Sequence, residues 1–231
     1  MSKHLERDLE SLERDLLAQS SVVEQMIRAA CRGLRQRDSG VAAELGELEP
    51  GVNSREVRIE EECLKLLALH QPVAVDLRRV ATVLKVNSDL ERIADLAVNI
   101  GERIPAIASR PDLRVSGSLD EMAAMTIGMV RDALDALVEF DADLARKVCR
   151  QDDEVDEYNR TIIAELHEVM QHNGQLVEAA LHFFSASRHI ERIADHATNI
   201  AEDVIYLVEG EITRHQSEEE RRASIDQRSA R

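Results

Sequence analysis

The 231-residue chain carries 45 Asp and Glu against 29 Lys and Arg, a formal charge of -16, so repulsion disfavours DNA, RNA and anionic lipid as direct partners, and a docking partner is expected to be neutral, cationic or metal-bridged. Aromatic residues are 2%, Trp is absent and there are four Pro; with Leu, Ala, Glu, Arg and Ile dominant, this palette excludes a sheet-rich fold. Three scattered cysteines without CxxC spacing exclude a zinc knuckle or disulfide framework, and neither an apolar run of roughly 18 residues nor a signal-peptide core is present, so a soluble protein of the reducing cytoplasm is expected, with no membrane insertion.

In chain order, the spacing of Leu9, Leu12, Leu16, Val23, Ile27, Ala30 and Leu34 predicts a long first helix over residues 5–37. Asp38-Ser39-Gly40 supplies a stop and a new cap. A second helix begins over residues 41–48, is expected to kink at Glu49-Pro50-Gly51, and resumes over 53–70. Gln71-Pro72 places a proline in the first turn of a third helix over 72–107. Residues 109–118 lack periodicity and read as a linker. A fourth helix over 119–139, a fifth over 141–172 and, after Asn173-Gly174, a sixth over 175–211 complete the pattern. The expected fold is all-α: two tandem antiparallel three-helix bundles, at 1–108 and 119–212, followed by a polar tail at 213–231 expected to be disordered.

The third and sixth predicted helices carry the same text. Glu91-Arg92-Ile93-Ala94-Asp95-Leu96-Ala97-Val98-Asn99-Ile100 returns as Glu191-Arg192-Ile193-Ala194-Asp195-His196-Ala197-Thr198-Asn199-Ile200, and both copies run on to a glutamate, Glu102 and Glu202. A repeat in register marks one structural unit used twice. At ~100° per residue, Glu91, Asp95, Asn99 and Glu102 fall within a sector of about 80°, as do Glu191, Asp195, Asn199 and Glu202. Opposite each acidic stripe runs a core seam: Val83, Val86, Leu90, Ile93, Ala97, Ile100 and Ile104 in one copy, and Phe183, Ala186, Ile190, Ile193, Ala197, Ile200, Val204 and Leu207 in the other.

Carboxylates and amide carbonyls are hard oxygen donors, suited to magnesium, manganese, calcium or oxidised iron rather than structural zinc. One helix cannot complete a coordination shell, and the acidic run containing Asp152, Asp153 and Asp156 is the expected second-helix donor. A single E-x-x-x-D is ordinary on a solvated helix face, and Arg92, Arg188 and Arg192 sit where they can pair with Asp95, Glu191 and Asp195. Two features move the reading toward a site. The stripe recurs, and upstream its face is apolar, at Val73, Leu77, Val80 and Leu84 and again at Val177, Ala180 and Phe184. The di-iron Glu-x-x-His motif is absent and no catalytic constellation is found, so an enzyme is not expected.

The two ERIAD-x-A-x-NI copies, the entry Gln71-Pro72-Val73-Ala74-Val75-Asp76-Leu77-Arg78, and the run from Ala201 through Glu202-Asp203-Val204-Ile205-Tyr206 to Gly210 closely resemble the PhoU family of phosphate-transport regulators, over nearly the whole chain. The resemblance implies two three-helix bundles whose E-x-x-x-D motifs, here Glu91 with Asp95 and Glu191 with Asp195, bind metal: iron, manganese, magnesium or zinc. It implies a homodimer that restrains phosphate uptake and the phosphate-starvation response, an adaptor between a sensor histidine kinase and the ATPase of a phosphate ABC transporter, peripheral at the inner membrane face through those partners. Helical metal storage is the alternative. The chain departs from the family at Ala94 and Ala194, where glycine is common, and at Leu96, where histidine is favoured. Glu49-Pro50-Gly51-Val52-Asn53 is aligned with Asp152-Asp153-Glu154-Val155-Asp156, so the first site is expected to be the weaker.

Overall fold

The computed structural model describes residues 3–210, all-helical apart from short turns; the expected tail at 213–231 lies outside the described residues. The elements are α1 (Lys3–Gln36), α2 (Val41–His70), α3 (Ala74–Ala108), α4 (Ser118–Glu139), α5 (Ala142–His172), a 3-10 turn (Gly174–Leu176) and α6 (Val177–Glu209). Helices α1, α2 and α3 pack mutually as one bundle, and α4, α5 and α6 as the second. The bundles join chiefly through α3 against α6. No helix among the described residues is long and apolar enough to cross a membrane.

Local chemistry sets the turns. Arg37 takes the left-handed conformation, φ 57°, that ends α1, and Asp38 Oδ1 accepts from Gly40 N at 3.0 Å. Asp141 caps α5, accepting from the amides of Asp143 and Leu144 at 2.9 Å. Where α1 turns into α2, a Cβ on Gly33 would stand 2.8 Å from Val41 Cγ2 and 2.9 Å from Ile104 Cδ1; only a residue without a side chain lets the three helices meet so closely.

Two proline expectations are corrected. Pro50 lies inside α2, which runs unbroken from Val41 to His70. Its missing N–H leaves the Gly46 carbonyl without a helical partner, but both residues face solvent, where water serves. Pro72 lies before α3 rather than in its first turn, because Gln71 adopts φ 44° and helix begins only at Ala74.

Every residue of the two predicted core seams is buried, and all but Leu207 belong to one apolar cluster that runs through both bundles. A polar layer interrupts it. Gln19 Nε2 donates to Asn87 Oδ1 at 3.1 Å, and Asn87 Nδ2 donates to the Glu56 carbonyl at 2.9 Å, tying α1, α3 and α2 together. Both side chains are essentially inaccessible. The bundles are stitched by Lys85 Nζ to Asp203 Oδ1 at 2.9 Å and by Arg78 Nε to the Leu207 carbonyl at 3.3 Å.

Replacing Asn87 with Ala strands the buried Gln19 amide and removes a second tie to the Glu56 carbonyl, and the expected loss is about 1–3 kcal/mol, read as a lower urea midpoint at an unchanged m-value.

Candidate functional site

The acidic stripe of each copy faces the second helix of its own bundle. On the second bundle, Asp152 and Asp156 of α5 come up beside Glu191 and Asp195 of α6, while Asp153 turns outward to solvent. Burial, then Asp195 and then Asp156 push the Asp152 carboxyl up to about 6. Burial, then Asp156, raises Asp195. Glu191 is raised by burial and by the Asp195 and Asp156 charges, against the lowering effect of Arg188, and its Oε2 is buried without a hydrogen-bond partner. Arg188 is held against this group through Glu191 Oε1, and His196 and Arg192 also act on Asp195 in the lowering direction.

The first bundle repeats the arrangement with a different donor. Glu91 is raised by burial and by Asp95, and the Glu56 carboxylate of α2 adds to the effect; Glu56 is itself raised by burial and Glu60. The α2 counterpart of Asp156 is therefore Glu56, and the register expected around Glu49-Pro50-Gly51 is corrected by three residues. The signal was present: Glu91 and Glu191 differ by 100, and Asp156 stands 100 after Glu56. By the same offset the nonpolar Val52, buried at 2% exposure, replaces Asp152. The first patch thus lacks one carboxylate of the second.

The remaining stripe residues lie further along the two helices. Asn99 Nδ2 donates to its own helix, at the Asp95 carbonyl, 2.8 Å. Glu102 is exposed and its charge acts on His189 of α6. Asn199 and Glu202 are half-buried one and two turns beyond Asp195. The expectation of a buried apolar face upstream is also corrected: Val80 and Ala180 are buried, but Val73, Leu77 and Phe184 are 74%, 44% and 37% exposed.

Among the described residues, no three His, Cys, Asp or Glu side chains converge tightly enough to enclose a metal ion. The donor chemistry nevertheless suits a hard cation: clustered carboxylates on two rigid helices, one oxygen of Glu191 unpartnered, and protonation favoured because burial and mutual repulsion outweigh the relief from Arg188, Arg192 and His196. A carboxyl whose proton is held more tightly in the folded than the unfolded chain makes the fold more stable as pH falls through its folded value and less stable above it.

The sequence pattern of the PhoU domain matches residues 16–104 and again 119–204. The Phosphate-specific transport system accessory protein PhoU homolog of Pseudomonas putida is 38% identical over 216 residues, covering 93% of this chain and 84% of that protein. The Phosphate-specific transport system accessory protein PhoU of Escherichia coli strain K12 is 32% identical over 219 residues, covering 93% and 91%. The crystal structure of PhoU from Pseudomonas aeruginosa superposes with a TM-score of 0.86 at 37% identity, covering 89% of this chain and 99% of that one.

In chelator-treated protein, Asp152→Asn should melt at a higher temperature than the wild type near neutral pH, and the gap should close as pH falls through about 6. A gap independent of pH would show that Asp152 is not held in the raised state.

Proposed function

The chain belongs to the PhoU family, and on that premise we propose that it is an accessory regulator of a phosphate-specific transport system, a non-enzymatic adaptor that restrains phosphate uptake and the phosphate-starvation response. What carries this reading is the name shared by relatives that match the chain over more than nine-tenths of its length. In it, the protein links the ATPase of a phosphate ABC transporter to a sensor histidine kinase at the cytoplasmic face of the membrane. No catalytic role is assigned to any side chain.

The two acidic faces are the proposed metal sites. Asp152, Asp156, Glu191 and Asp195 would hold the ion of the second bundle, and Glu56, Glu91 and Asp95 that of the first. The metal, iron, manganese, magnesium or zinc, would supply positive charge beyond what Arg92 and Arg188 bring to the two faces and so fix α2 against α3 and α5 against α6. The missing carboxylate at Val52 makes the first site the weaker. Self-association belongs to the same proposal and is supported by Leu69, Val73, Val75 and Leu77, exposed together around the α2–α3 turn.

Deleting the gene should switch on phosphate-starvation genes in abundant phosphate, and re-expression should silence them; unchanged expression after deletion would defeat the regulatory reading. For the metal, adding manganese or iron should raise the melting temperature of the wild type and leave an Asp95→Ala, Asp195→Ala double variant nearly unmoved, since an ion bound only to the folded state stabilises it by mass action. An equal response would mean that the stripes are solvated faces. Light scattering at micromolar concentration checks self-association, with a monomeric mass refuting it.

A further inference from the structure

Between the end of α1 and the start of α4 the molecule carries a basic cleft of about 180 Å³, lined by Arg35 and Arg37 at the end of α1, Arg114 and Ser116 in the inter-bundle linker, and Leu119 and Asp120 in the first turn of α4. Three guanidinium groups against one carboxylate leave its lining two positive charges ahead, in a chain whose formal charge is -16. Most such groups would be expected to find carboxylates here, and arginines elsewhere do, as Arg79 does with Glu13 at 2.7 Å. Among the described residues neither Arg35 nor Arg114 is within ion-pair reach of any acid, Asp120 included.

The cleft is held in shape without a ligand. Arg37 spends its N–H groups on neutral main-chain oxygens, donating from Nη1 to the Arg110 carbonyl at 2.6 Å and from Nη2 to the Leu113 carbonyl, with no carboxylate in direct contact and only the exposed Asp112 feeling its charge from beside the cleft. Leu113 is completely buried and fixes the chain just before Arg114. The N-cap of α4, Gly117, has no side chain; Ser116 Oγ accepts from the Ser118 amide at 3.3 Å, and the first turn of this 22-residue helix, which carries Asp120 and Glu121, opens onto the same space. Nearby acids are accounted for: Glu165 accepts from the Ser116 amide at 2.9 Å, and Asp112 pairs with Arg110 at 3.3 Å.

Planar guanidinium forks around a small polar space match the oxygens of a tetrahedral oxyanion, in geometry as well as in charge. We propose that this cleft, formed by Arg35, Arg37, Arg114 and the start of α4, binds free inorganic phosphate. The site is separate from the acidic faces and does not rest on the regulatory reading. The same chemistry would greet the terminal phosphoryl group of a nucleotide, and the test separates the two sources.

Calorimetric titration with inorganic phosphate at constant ionic strength should give saturable binding to the full chain. Arg35→Gln and Arg114→Gln should each weaken it about tenfold or more, as loss of a charge-assisted hydrogen bond implies, while Asp120→Asn should tighten it. Arg35 and Arg114 are solvent-exposed, so unchanged melting curves will show that these variants still fold. A nucleotide titrated in parallel should bind no more tightly than phosphate. The proposal is overturned if phosphate shows no saturable binding, if both arginine variants bind it like the wild type, or if only the nucleotide binds.

Discussion

The antiparallel contact of α3 with α6 is the constraint on which the rest of the molecule depends. Three cross-links fix its register: Arg78 to Leu207, Lys85 to Asp203, and Asp89 to His196 at 2.8 Å. Asp203 is only 2% exposed as a side chain, so its charge relies on Lys85 and its other neighbours rather than on water. Breaking one partner of such a pair costs more than the pair contributes, because the survivor is left buried and uncompensated. The contact therefore specifies one arrangement of the two bundles more than it adds to their stability. With α3 and α6 locked together, each can turn its acidic stripe only toward the remaining helices of its own bundle.

That geometry explains why the carboxylates remain in a costly arrangement. A surface loop would let four acids drift apart, whereas α5 and α6 are committed by Val148, Val155 and Ile162 on one side and Ile190, Ile193 and Ala197 on the other, all fully buried. Burying each of the larger of these side chains is worth roughly 1.5–3 kcal/mol, and like-charge repulsion at the helix surface a few tenths per pair. Packing wins, and the strain appears as raised carboxyl pKa values instead of as a displaced helix.

The helices and their buried seams were legible because a 3.6-residue period is written many times over in a chain this long, and the duplication was legible because ERIAD recurs letter for letter. What was misread were single residues whose local preference is overruled. Pro50 costs a helix about 3 kcal/mol, yet Val52, Ile59 and Leu66 beyond it all reach the core and together outweigh it. Glu56 was missed because the acidic run of α5 has no literal counterpart in α2; the fixed offset between copies, rather than resemblance of letters, identified it. Val73 and Leu77 read as buried because they continue an apolar face, but they stand at the N-cap and in the first turn of α3, both exposed.

The α3–α6 contact also has a bearing on how the chain is made. Its cross-links join residues 129, 118 and 107 positions apart, far more distant than the neighbour-to-neighbour contacts that let helical bundles fold fast. At roughly 5–20 residues per second, α3 leaves the ribosome on the order of 5–20 s before α6. Throughout that interval the first bundle is complete but for one open flank, so the newborn chain passes through a sticky half-molecule on every round of synthesis.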